Sequence, residues 1–361
     1  MGKGLWPILV GSALLVLPAA AQSQTAAARE RATIAERLDL LRKQEDRLVV
    51  IGERISIAAA AAGWCEGGFS LGWSLGDIGQ YPKAARQAAR TVWTVPTGAT
   101  LYVAAVAPDG AAAQAGLTPG TGIVSIAGRT PMRNSYQSAS NHARANSEEL
   151  IARQLALGPL TIETLAGDGT RRTIELTARP ACDTRFEMSA EDEEQAYADG
   201  AIVQVTAGMG RYTQESDQEL AAVVAHELAH NILRHVMRTE QAGTPDNYTR
   251  YLGRYTNITR SMEEEADRMS VWLLALAGYE PSAPVDFWRR FGPNNDSAHP
   301  LGRTHDRWTD RVAAITNELE TMNAAKQADP QARPGLLDRR DAVPVPGQRA
   351  VLARDEQAPA P

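Results

Sequence analysis

His226-Glu227-Leu228-Ala229-His230 lies inside an apolar helical stretch, and its reading decides how the rest of the chain is placed. Upstream, Ser216-Asp217-Gln218-Glu219 has the pattern of a capping box, which starts a helix. Leu220, Val223, Val224, Leu228, Ile232, Leu233 and Val236 then carry one apolar face through the motif. One helical turn separates His226 from His230, so both imidazoles project from the same side and can share one tetrahedral metal ion. Glu227 is adjacent and can reach a metal-activated water without being a ligand. The pattern points to a zinc hydrolase. A buried helix with hydrogen-bonded histidines is the plainer alternative.

Two histidines leave a zinc ion one protein ligand short. A third histidine six residues on, the metzincin spacing, is excluded by Val236, and a thermolysin-like glutamate is excluded by Thr249 and Arg250. An acidic cluster arrives later, in Ser261-Met262-Glu263-Glu264-Glu265-Ala266-Asp267. Glu263 and Asp267 are four apart and share a helix face. Glu263 is the candidate third ligand, with Asp267 orienting a ligand histidine through its second ring nitrogen. Glu264 and Glu265 have other azimuths and read as surface charges, and His235 and His142 read as structural or surface residues.

The pairing of HExxH with E-x-x-x-D resembles the HtpX- and BepA-like gluzincin peptidases, the group that includes the CAAX prenyl endopeptidase. The likeness runs from about Ala190 to Ile315, and includes Arg234-His235, Ala277-Gly-Tyr-Glu-Pro281 and Phe287-Trp288. It implies an α+β fold: a zincin-like metallopeptidase domain over 183–325, mostly helical with a small sheet. It implies one zinc ion per chain on His226, His230 and Glu263, with Glu227 as general base. The segment from Ala198 to Met209 looks like the family's substrate-binding edge strand, with Ala201, Val203 and Val205 alternating along it. The family also places an H-P-x-x-x-x-R segment near the site. His299-Pro300 has the dipeptide, whereas His305 has Arg311 at the right distance; His305 with Arg311 is preferred, as a fourth metal contact or an oxyanion stabiliser.

From about Thr94 to Arg179 the period becomes that of strands. Leu101–Val106, Gly122–Ile126, Leu160–Leu165 and Arg172–Thr177 are strand candidates, with a hairpin turn at Asp168-Gly169 and a helix over Ser147–Leu157. Ala107-Pro-Asp-Gly-Ala-Ala-Ala-Gln-Ala-Gly-Leu-Thr-Pro-Gly120 followed by Ile123-Val-Ser-Ile-Ala-Gly-Arg129 resembles a bacterial PDZ domain, which implies a PDZ-like β-barrel over 94–180. Thr121 stands where that family has Asp, and Ala127 where it has Asn. Peptide binding, positioning of the neighbouring domain and a purely structural insert remain alternatives for this segment.

The ends and the composition set the setting. Of 361 residues, 43% are apolar and 22% charged, as in a soluble globular protein. A net charge of -6 argues against nucleic-acid binding. Lys3, the apolar run Ile8–Leu17 and Ala19-Ala20-Ala21 read as an export signal over 1–21, too short to span ~30 Å of bilayer comfortably; an uncleaved anchor is the alternative. An exported chain with two cysteines, Cys65 and Cys182, more often joins them than leaves them free. Residues 22–93 begin with a helical pattern (Ile34, Leu38, Leu41, Leu48), and the glycine-rich stretch Gly63–Gly79 reads as irregular. The tail 326–361 reads as disordered. The expected protein is a periplasmic or envelope endopeptidase acting on proteins or peptides, with room for peripheral membrane association and no indication of oligomeric state. Its rival is a latent peptidase-fold chaperone or scaffold that binds peptides through the PDZ-like segment.

Overall fold

A single long helix organises the chain. In the computed structural model, which describes residues 19–133, 139–243, 256–295 and 307–343, α1 runs from Ala19 to Ala61. Its apolar residues recur at helical spacing and contact two different bodies. Leu38 and Leu41 pack with Tyr81 and Trp93, whereas Leu48, Ile51, Ile55 and Ala59 enter the core around the HExxH helix. Gly52 lets Phe186 lie flat on α1, since a Cβ there would fall 2.4 Å from the ring. Residues 1–18, which carry most of the expected export signal, lie outside the described residues. Among the described residues no helix is long and apolar enough to cross a membrane.

The first body is a five-stranded antiparallel sheet in the order β2-β3-β4-β5-β6. Its strands are β2 (Trp73–Asp77), β3 (Leu101–Val106), β4 (Gly122–Ile126), β5 (Leu160–Leu165) and β6 (Arg171–Leu176). A short helix, α2 (Arg86–Val92), precedes β3, and a single turn, α3 (Ala111–Gln114), follows it. Helix α4 (His142–Leu155) covers the sheet, burying Ile151 and Leu155 against Leu75, Leu160 and Ile162. The glycine-rich stretch read as irregular is therefore partly strand: β1 (Gly67–Ser70) and β2 both form within it. Glycine serves close packing there, as at Gly76, where a Cβ would lie 2.3 Å from Tyr102 Cζ.

The chain then crosses to the second body. β7 (Arg179–Cys182) pairs antiparallel with β1, and the disulfide Cys65–Cys182 joins them beside α1. β8 (Arg185–Ser189), β9 (Ala196–Ala198) and β10 (Ile202–Thr206) form a three-stranded sheet in the order β8-β10-β9. Helices α5 (Ala207–Tyr212), α6 (Asp217–Ile232), α7 (His235–Gln241), α8 (Thr256–Ala277), α9 (Ala283–Asn295) and α10 (Trp308–Ala328) follow. Met262, Ala266, Met269, Val271, Trp272, Leu273 and Leu274 are all buried, so α8 is enclosed by its neighbours on nearly every side. Part of the tail expected to be disordered is ordered: α10 continues to Ala328, and a 3-10 turn at Gly335–Arg339 buries Leu336 and Leu337 in the same core. Two consecutive leucines enter the core from a stretch that is otherwise polar, and Arg340 Nη1 donates to the Trp64 carbonyl from the same segment.

Candidate metal centre

Helix α6 begins where its cap predicts, with Ser216 Oγ accepting from the Glu219 amide at 3.3 Å. Leu220, Val224 and Leu228 are fully buried beneath it, which fixes its rotation and turns His226 and His230 toward α8. His226 Nε2 and His230 Nε2 lie 3.2 Å apart. Glu263, on α8, places Oε2 3.3 Å from the first and Oε1 3.7 Å from the second. Donors held about 2.0–2.1 Å from a tetrahedral ion are separated by roughly 3.3–3.4 Å. Two imidazoles and a carboxylate at these spacings therefore fit one zinc ion, and His226, His230 and Glu263 are the residues that would hold it.

Each histidine is oriented from behind. Asp267 Oδ1 lies 3.0 Å from His226 Nδ1. Arg311, on α10, clasps Asp267 at two points and stacks 3.8 Å from the centre of the Trp288 ring. His230 Nδ1 meets His235 Nδ1 at 2.9 Å, and His235 Nε2 lies 3.1 Å from Glu265 Oε2. Burial works against a charge on His226, but the Asp267 and Glu263 carboxylates, which accept from a protonated ring, outweigh it and raise its pKa to about 10. Burial holds His230 well below the ordinary histidine value. These opposite tendencies belong to a pair crowded around one point.

Glu227 is half-buried beside this cluster, and its charge is felt both by Arg311 and by Tyr197 on β9. A carboxylate at this place could serve a proton-transfer role.

Three sequence expectations change. The substrate strand was placed on Ala201, Val203 and Val205, but β10 is the central strand, hydrogen-bonded to β8 on one side and β9 on the other. Both sides of β10 are paired, so no peptide can add there, and Val203 and Val205 are fully buried; the edge strands are β8 and β9, and on β9 Tyr197 is 49% exposed. Alternation alone does not distinguish a central strand from an edge. Arg311 is not free to stabilise an oxyanion, because its guanidinium fork is taken up by Asp267; it positions Asp267 instead. Glu265 is buried rather than a surface charge, because α8 is packed on both the α6 and the α7 sides. His305 and His299 lie outside the described residues.

The sequence reading missed the group behind His230. Its signal was present in the His235 that follows the motif by five residues and in the second buried acid of the Glu263–Asp267 run. Reading Glu265 as a surface charge concealed it.

The fold and site are those of a metallopeptidase domain in which two histidines and one glutamate stand where they would hold a metal ion. Residues 168–253 match Peptidase family M48, which supports an HtpX/BepA-like metallopeptidase in this part of the chain. The chain is also similar to a protein of Vibrio cholerae serotype O1 that bears the name "Putative beta-barrel assembly-enhancing protease": the two are 31% identical over 31% of this chain and 30% of that protein. The chain thus spans less than a third of that relative's length. The family match ends before Glu263, and the third ligand rests on the geometry alone.

Proposed function

We propose that this chain is a zinc-dependent endopeptidase that hydrolyses peptide bonds of exported proteins in the periplasm or envelope. The observation that carries the reading is the convergence of His226, His230 and Glu263 at metal-ligand spacing with Glu227 beside them. A bound zinc ion would supply Lewis acidity, acidifying a water and polarising the scissile carbonyl. Glu227 takes the proton of the attacking water and passes it to the leaving amine as the C–N bond breaks. An extended substrate pairs with the outer edge of β9, a main-chain mode that tolerates varied side chains. The name of the Vibrio relative, an assembly-enhancing protease, supports an envelope setting, as does the disulfide.

The five-stranded sheet covered by α4 supports the PDZ-like reading of the first body. Its β2–α4 cleft faces β8, and Arg144 of α4 forms a buried pair with Glu187 of β8 at 2.5 Å. That contact favours positioning of the peptidase domain over free display of a peptide groove.

The test is Glu227→Gln in the full chain. Zinc content and melting temperature should match wild type while chelator-sensitive degradation of unfolded casein disappears. Wild-type turnover by the variant would overturn the reading, and zinc binding without cleavage by the wild-type chain would favour the scaffold alternative.

A further inference from the structure

The geometry points to His235 as the positioning residue for the ligand His230, through a proton-ordered chain His230–His235–Glu265–Arg238. This rests on the metal-centre reading above. A metal-ligating histidine commonly donates its second N–H to a carboxylate, a carbonyl or water. His226 has the carboxylate of Asp267 in that place, Oδ1 3.0 Å from its Nδ1. His230 instead meets another imidazole, with His235 Nδ1 2.9 Å from His230 Nδ1. On its far side His235 Nε2 is 3.1 Å from Glu265 Oε2, and Arg238 Nη1 donates to that same oxygen at 2.6 Å. His235, Glu265 and Arg238 are all buried.

One constraint orders every proton. If His230 turns its Nε2 lone pair to the metal, its Nδ1 carries the hydrogen and donates it. His235 Nδ1 must then accept, so a neutral His235 holds its one proton on Nε2 and gives it to Glu265. Glu265 accepts from both His235 and Arg238, as an ionised carboxylate can. Each contact then has one donor and one acceptor. A charged His235, or its other tautomer, would set two N–H groups against each other within 2.9 Å.

The chain is anchored at its far end. Arg238 Nε donates to the Ala342 carbonyl at 3.0 Å, in the segment that follows α10. Arg234, between α6 and α7, is in the left-handed region at φ 55° and pairs with both Glu66 and Asp341. That reversal brings His235, the first residue of α7, back against His230. The imidazole passes the polarisation of Glu265 to His230 without setting a second carboxylate beside the ligand.

Two measurements on the full chain test this. The zinc dissociation constant, from competition with a chelating dye, should weaken about 10- to 100-fold in His235→Leu. His235→Gln, which keeps one acceptor and one donor, should restore most of the loss; a Gln variant no better than Leu counts against the assignment. If His235→Leu does not fold, imidazole 15N spectra of zinc-loaded wild type still decide. They should show His235 neutral with its proton on Nε2, and a doubly protonated or Nδ1–H ring overturns the chain. Unchanged zinc affinity in His235→Leu overturns this inference alone. A wild-type chain that binds no zinc overturns the metal-centre reading with it.

Discussion

Arg311 and Asp267 meet as a buried two-point pair, Nε to Oδ2 and Nη2 to Oδ1, each at 2.6 Å. The pair ties α10 to α8 directly behind His226, so the helix that closes the domain also fixes the ring of a metal ligand. The Arg311 guanidinium and the His226 contact hold the Asp267 carboxyl below the ordinary range although burial pushes it up.

Removing one partner of such a pair leaves a buried charge uncompensated. Arg311→Ala should cost about 3–5 kcal/mol of stability and weaken zinc binding as well. Arg311→Lys should recover little, because an ammonium cannot reproduce the two-point fork or the stacking on Trp288. Urea denaturation and zinc titration on both variants check this; a lysine variant equal to wild type in both would refute it.

The turn Ile126-Ala127-Gly128-Arg129 closes a two-residue hairpin, with Ile126 and Arg129 exchanging hydrogen bonds of 2.8 and 2.9 Å. Both central residues have positive φ, 48° at Ala127 and 74° at Gly128. This is the turn that favours Asn-Gly, and alanine is strained there. Ala127→Asn should therefore stabilise the protein by about 1 kcal/mol, seen as a higher denaturation midpoint at unchanged slope. A lower midpoint would mean that the side chain, not the backbone, matters at this position.

Much of this was legible because local rules governed it. The cap at Ser216, the histidine spacing and four strands of the sheet follow from short-range pattern. What was not legible depended on partners far away in sequence. β10 looks like an edge until β9 pairs with it, and Glu265 looks solvated until α7 folds back through Arg234. Arg311 looks like a catalytic cation until Asp267 takes up its fork.

Leu336 and Leu337 show the same effect at the end of the chain. Leu336 is 3% exposed and belongs to the core that contains Leu228 and Trp272. Leu336→Ala should cost about 2–5 kcal/mol by lost burial and the cavity left behind. Thermal unfolding measures it, and a variant within experimental error of wild type would show that the segment after α10 adds nothing to the core.

The contact between the two bodies should make stability depend on pH away from the metal. Glu45 of α1 is buried and accepts from Ser74 Oγ at 2.8 Å, with Arg144, Asp46 and Glu187 also acting on it. Burial dominates and raises its pKa from 4.5 to about 7. Between those values the folded chain holds a proton that the unfolded chain has released, so stability falls as pH rises. The group costs nothing below about pH 4.5, and its full penalty is reached above about pH 7. A shift of this size corresponds to something on the order of 3 kcal/mol. Glu45→Gln cannot ionise, so it should unfold like wild type near pH 4.5 and become more stable than wild type by that order at pH 8. Chemical denaturation of both proteins across this range gives the difference directly. Parallel curves would show that Glu45 is already charged in the folded state, stabilised by Arg144 more strongly than burial opposes it.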